Sequence, residues 1–130
     1  MGDGSWVMGA EGFRELRSWQ AAKALAVEIY RLTESGALSR DFGLRDQLRR
    51  AAVSIPSNIA EGDERDTNKD SVRFLYIAKG SLAELRTQLE IARDVGALPS
   101  EAHLSLETKC AELGRMLGAL IKARSATHHP

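Results

Sequence analysis

Leu75, Ala78, Leu82, Leu85, Leu89 and Ala92 recur at alternating spacings of three and four residues, and no window of the chain sustains a period of two. That spacing gathers the six side chains into one stripe of an α-helix, whereas a strand would scatter them over both faces. Three further stripes share the property. Leu16, Trp19, Ala22, Ala26, Ile29 and Thr33 form one; Leu44, Leu48, Ala51, Ile55, Ile59 and Gly62 form another; His103, Leu106, Cys110, Leu113, Leu117 and Leu120 form the last. A helix with one apolar stripe cannot cover that stripe alone, so four of them must cover one another.

The expected fold class is therefore all-α, an antiparallel up-down-up-down four-helix bundle, with helices over about 13–34, 42–62, 68–95 and 101–124. The punctuation agrees. Asp41 is placed to cap the second helix, and Thr67 the third, with Asp70 three residues on in a capping-box-like arrangement. Gly96 is a natural C-terminal stop, and Ser100 is placed to cap the fourth helix. "SGALS" and "LPSE" read as short links.

At 130 residues the chain is one domain by length. Residues 1–12 read as a flexible leader, 13–125 as the bundle and 126–130 as a disordered tail. The leader lacks the basic start and apolar core of a secretory signal, and no apolar run approaches the roughly 20 residues of a membrane span. One cysteine, Cys110, excludes an internal disulfide and suits a reducing compartment. A cytoplasmic location without a membrane partner is expected.

No residue pattern supplies an enzyme, a metal site or a cofactor site. His128 and His129 fall in the tail, and His103 stands alone on an apolar seam with no second histidine four residues away, so it reads as a hydrogen-bonded core histidine. Cys110 on the same seam reads as a small apolar side chain. "EGDERD" reads as a solvated turn, and the glycines of the leader have neither a strand before them nor a Lys-Ser/Thr after them. Catalytic residues, metals and cofactors are accordingly none.

The exception to ordinary helix composition is "RRAAVSIPSNIAEG", which ends at Gly62. While Leu48, Ala51, Ile55 and Ile59 face the core, Arg50, Ser54, Ser57, Asn58 and Glu61 make a polar stripe beside them, and Ser81, Glu84 and Gln88 make its counterpart on the third helix. In a hairpin closed by residues 62–67, position 50 falls opposite about position 81. The expectations are an Arg50–Glu84 or Arg49–Glu84 pair, with Ser54 and Asn58 satisfying groups across the seam. Pro56 removes one backbone donor and crowds the Ala52 carbonyl, so a kink or loosened turn is expected, with the Ser54 and Ser57 hydroxyls on the freed carbonyls. The stripe serves register, or else a subunit or ligand surface.

"RRAAVSIPSNIAEG" followed by "FLYIAKGSLAELRTQLEIARDVG" closely resembles the family of four-helix bundle proteins encoded in intervening sequences of bacterial 23S ribosomal RNA genes. The resemblance extends from "FRELRSWQAAKALAVEIYRL" to "MLGALIKA". It implies an antiparallel bundle assembled into a ring-shaped homopentamer. A related branch, similar bundles that serve as accessory proteins of diversity-generating retroelements, implies nucleic acid and a reverse transcriptase as partners.

Charge bears on these implications. Lysine plus arginine and aspartate plus glutamate each number 18, so indiscriminate nucleic-acid binding is disfavoured, but the balance is uneven locally. Residues 40–50 carry four arginines against two aspartates, and residues 109–124 four basic residues against one glutamate. The candidate nucleic-acid contacts are Arg45, Arg49 and Arg50, followed by Lys122 and Arg124. The leading expectation is a homo-oligomer, pentameric by resemblance, that binds RNA or DNA. The alternatives are a reverse-transcriptase accessory protein that also binds its template RNA, and an assembly module without a nucleic-acid role. The excess apolar surface of the first helix (Trp19, Leu25, Val27, Tyr30, Leu32) places that helix between neighbouring subunits.

Overall fold

The computed structural model describes residues 12–126. A 3-10 turn, Gly12–Glu15, leads into α1 (Arg17–Leu32), followed by α2 (Gly36–Arg40), α3 (Phe42–Asp63), α4 (Asn68–Asp94) and α5 (Ser100–Ala126). Among the described residues the fold is an all-α bundle of four long helices and one short one, without strands. No described helix is long and apolar enough to cross a membrane. The expected leader and disordered tail lie outside the described residues, apart from Gly12, which opens the 3-10 turn, and Ala126, which closes α5.

The four stripes meet in one core. Ala22, Ile29, Leu48, Ile55, Ile59, Leu75, Ala78, Leu85, Ala92, Cys110 and Leu117 are all fully or almost fully removed from solvent. The expected seams hold with one shift, since α5 closes on buried Ile121 while Leu120 is only partly covered. α3 packs most extensively on α4, α1 lies along α3 and α5 along α4, and α1 meets α5 more sparsely.

Local chemistry sets the helix ends. The Leu44 N–H donates to Asp41 Oδ1 at 3.1 Å, and the Asp70 N–H donates to Thr67 Oγ1 at 3.1 Å, so both expected caps form. Gly96 follows α4 at φ +81, a left-handed conformation that closes the helix at little cost only for glycine. Two expectations at boundaries fail. Ser100 is the first residue of α5, and the His103 N–H bonds the Pro99 carbonyl at 3.0 Å, so Ser100 sits inside the first turn that it was expected to cap. "SGALS" is more than a link: it coils into α2 because Leu38 drops into the core at 2% exposure and draws one helical turn with it.

α3 and α4 form an antiparallel hairpin, in which Gln47 faces Gln88, Ser54 faces Ser81 and Gly62 faces Ser71. This register, held by the Ser54–Ser81 and Gln47–Gln88 contacts, places Ser81 opposite Ser54, one turn away from the expected alignment with Arg50. At the closed end the helices nearly touch. A Cβ added at Gly62 would lie 3.0 Å from the Ser71 carbonyl oxygen and 3.2 Å from Phe74 Cβ. Glycine is therefore demanded here by space rather than by backbone conformation.

This contact yields a test by urea unfolding. Gly62→Val is expected to lower stability by about 1–3 kcal/mol through overpacking against helix backbone. Gly118→Ala in α5, where an added Cβ meets nothing within 4 Å, is expected to raise stability by about 1 kcal/mol through helix propensity.

Candidate nucleic-acid interface

Arginines concentrate where α1, α2 and α3 meet. Residues 30–50 supply Arg31, Arg40, Arg45, Arg49 and Arg50 against Glu34, Asp41 and Asp46. Two of these arginines are built into the corner. Arg49 Nε donates to Thr33 Oγ1 at 2.8 Å and Nη2 to the Tyr30 carbonyl at 3.3 Å, while the guanidinium stacks 4.4 Å from the centre of the Tyr30 ring. Thr33, itself buried, donates onward to the Ile29 carbonyl at 2.8 Å. The arrangement seals the C-terminal carbonyls of α1 with a cation, as the helix dipole favours.

Arg45 repeats the device on α2. Its Nη1 donates to the Ser39 carbonyl at 3.3 Å, its Nε to Asp46 at 3.1 Å, and its guanidinium lies 4.8 Å from the centre of the Phe42 ring. Phe42 is 65% exposed at the start of α3. Arg31, Arg40 and Arg50 are exposed and make no ion pair or hydrogen bond among the described residues. The corner thus combines two unengaged guanidinium groups, Arg31 and Arg40, with two held over aromatic rings, each of which leaves one terminal nitrogen unused, while Arg50 lies on the flank of α3 that faces α4.

The other expected contacts separate. Lys122 is exposed near the end of α5. Arg124 is drawn inward: Nη1 donates to Ser71 Oγ at 2.6 Å and Nη2 to Asp63 at 2.8 Å, so it ties α5 to the closed end of the α3–α4 hairpin. Its expected role as an outward phosphate ligand is thereby corrected. Arg49 serves the fold, and neither it nor Arg50 pairs with Glu84.

The polar stripe divides into an inner and an outer part. Ser54 Oγ and Ser81 Oγ bond across the hairpin at 2.8 Å, and Asn58 Nδ2 donates to the Ser54 carbonyl at 2.9 Å and to its Oγ at 3.0 Å. Gln88 Nε2 reaches Gln47 Oε1 at 3.5 Å. Arg50, Ser57, Glu61 and Glu84 face outward, and Glu61 accepts from Arg65 one turn along. α3 runs unbroken through Pro56, and neither serine hydroxyl turns to the Ala52 carbonyl, because Ser54 is occupied by Ser81 and Asn58 and Ser57 points to solvent. Pro56 instead lines a shallow groove with Val27, Tyr30 and Val53.

The remaining chemical candidates are buried. Burial pushes the Cys110 thiol up to about 11, which removes the thiolate that a nucleophile or metal ligand would need. His103 Nδ1 lies 3.4 Å from Arg93 Nη1, and its Nε2 is buried without a partner. The expected core histidine is thus satisfied on one side only. His128 and His129 lie outside the described residues. No group of three or more His, Cys, Asp or Glu among the described residues could hold a metal ion.

Sequence reasoning overlooked Arg31, Arg40, Tyr30 and Phe42. Tyr30 and Phe42 each sit beside or near an arginine in sequence, but only the turn through α2 brings the two helix ends together.

Residues 14–119 match the model of the 23S rRNA-intervening sequence protein family. Among solved structures, the chain is similar to a protein of unknown function from the S23 ribosomal protein family of Bacteroides thetaiotaomicron VPI-5482, with a TM-score of 0.74 and 23% identity. That alignment covers 81% of this chain and 98% of the other, and at this identity it speaks to the fold. No curated protein matches the chain.

The contrast between the two neighbouring arginines can be checked by urea unfolding. Arg49→Lys loses the fork that spans two acceptors and the stack on Tyr30, and is expected to cost about 1–2 kcal/mol. Arg50→Lys is expected to stay within about 0.5 kcal/mol of the parent.

Proposed function

This chain belongs to the 23S rRNA-intervening sequence protein family, and we propose that it is a non-enzymatic homo-oligomer that binds RNA or DNA through the arginine corner of α1, α2 and α3. The observation that carries this reading is the corner itself. Arg31 and Arg40 are unengaged, and the stacks of Arg49 on Tyr30 and Arg45 on Phe42 stand beside them. Phosphates take guanidinium donors, and unpaired bases stack on aromatic and guanidinium planes.

Assembly is supported by apolar surface left outside the core. The back of α4 presents Tyr76 at 56% exposure, Ile77 and Ile91, with the small residues Gly80 and Ala83 between them. Val27, Tyr30 and Val53 are likewise half exposed along α1 and α3. A homopentameric ring, the assembly implied by the family resemblance, would repeat the corner five times. Repetition raises affinity without additional charge per chain, which reconciles a nucleic-acid role with zero net charge. The reverse-transcriptase partnership gains no support from the matched proteins.

Fluorescence anisotropy with a structured RNA across a salt series tests the reading, with light scattering on the same sample giving the oligomer. Affinity is expected to fall steeply with salt. The double variant Arg31→Gln, Arg40→Gln is expected to reduce the slope of log K against log salt by about two phosphate contacts per bound subunit. Absence of binding at low salt would end the nucleic-acid reading, and a monomer in light scattering would end the multivalent one.

A further inference from the structure

On the other flank of α3 lies a polar groove of about 370 Å³, lined by Gln47, Arg50, Ala51 and Ser54 from α3 and by Glu84 and Gln88 from α4. Its composition is unusual for an exposed seam. A guanidinium and a carboxylate line the same groove, yet Arg50 and Glu84 form no ion pair and neither bonds any other group. Deeper in, Gln88 Oε1 is buried without a partner. Ser54 Oγ is already held by Ser81 and Asn58, and Ala51 adds only a methyl group. The groove therefore offers acceptors from α4 and donors from α3, with a small residue between them.

The geometry points to a binding site for an unstacked guanine base, resting on the nucleic-acid reading above and extending it from phosphate contact to base selection. Guanine presents two adjacent donors, N1–H and the N2 amino group, which match the two oxygens of Glu84 with Gln88 Oε1 as a further acceptor. It also presents two adjacent acceptors, O6 and N7, which match a guanidinium such as Arg50. Adenine and cytosine each carry one amino donor beside ring acceptors, and uracil carries one N–H between two carbonyls, so none of them meets both sides. The volume suits a flat ligand, and single-stranded loops and bulges are where a base is free to leave its stack. Arg31 and Arg40 of the corner, on the opposite flank of α3, would hold the phosphates of the same strand, so that position and base identity are recognised on different sides of one helix.

The probes are three single-stranded RNA decamers of uridines with one central guanosine, inosine or adenosine. Inosine lacks only the N2 amino group. The parent protein is expected to bind the guanosine strand at least about tenfold more tightly than either of the others. Glu84→Gln, which turns an amide donor toward the donors of guanine, is expected to shrink that preference below about threefold while leaving the salt slope unchanged. Arg50→Gln is expected to weaken the guanosine strand most. Equal affinity for the three strands, or a guanosine preference that survives Glu84→Gln, would overturn the inference. Salt-sensitive binding without base preference would overturn this site alone, whereas no binding of any strand would overturn both this site and the arginine corner.

Discussion

The hydrogen bond between Ser54 and Ser81 fixes how the two longest-packed helices lie on each other, and the surface features follow from that alignment. Both hydroxyls sit in a seam of small residues where α3 and α4 approach closely. A sliding step of one residue would leave the buried Ser81 hydroxyl without a partner, which costs about 1–3 kcal/mol, and would leave half-buried Ser54 with only its bond from Asn58. Apolar stripes alone tolerate sliding far better, because one leucine replaces another. Gly62 closes the same hairpin by steric exclusion, so alignment is set by polarity in the middle and by volume at the end.

That alignment decides which charges are available. With Ser54 against Ser81, Arg50 and Glu84 line one groove without meeting, and Gln47 faces Gln88 beneath them. Arg49, one residue earlier, points about a quarter turn away and is spent on the end of α1. Arg124 is spent on Asp63 and Ser71. A chain with equal numbers of acidic and basic residues can thus present a basic corner, because several of its arginines are held in caps and ion pairs elsewhere while Arg31 and Arg40 at the corner are left over. The neutral total says little about any one face.

The helices, most of their caps and the apolar core were legible in the sequence, since these depend on spacing and on residue types with strong local preferences. The Asp41 and Thr67 caps and the Gly96 stop are cases of this kind. The α2 turn was not legible, because "SGALS" has link composition and coils only when Leu38 finds the core. Ser100 misled for a related reason: a serine before a helix and a serine in its first turn look alike in sequence. At the candidate site, the block from Ser54 to Gly62 stood out, but the partner of each polar group did not. The sequence placed Arg50 and Glu84 on facing stripes, and the structure brings them to one groove, but nothing in the spacing showed that they would line it without pairing. The arginine corner required the fold, since Arg31 and Arg40 lie on separate elements and gain meaning only beside Tyr30, Phe42 and Arg49.

The Ser54–Ser81 contact sets the register of α3 on α4. A double-mutant cycle with Ser54→Ala and Ser81→Ala, followed by urea unfolding, measures it directly. Ser54→Ala leaves the buried Ser81 hydroxyl unpaired and Ser81→Ala leaves Ser54 with Asn58 alone, so the double variant is expected to lose less than the sum of the two, with a coupling of about 0.5–1.5 kcal/mol. Strict additivity of the two losses would contradict the claim, and with it the placement of the groove and the corner on either flank of α3.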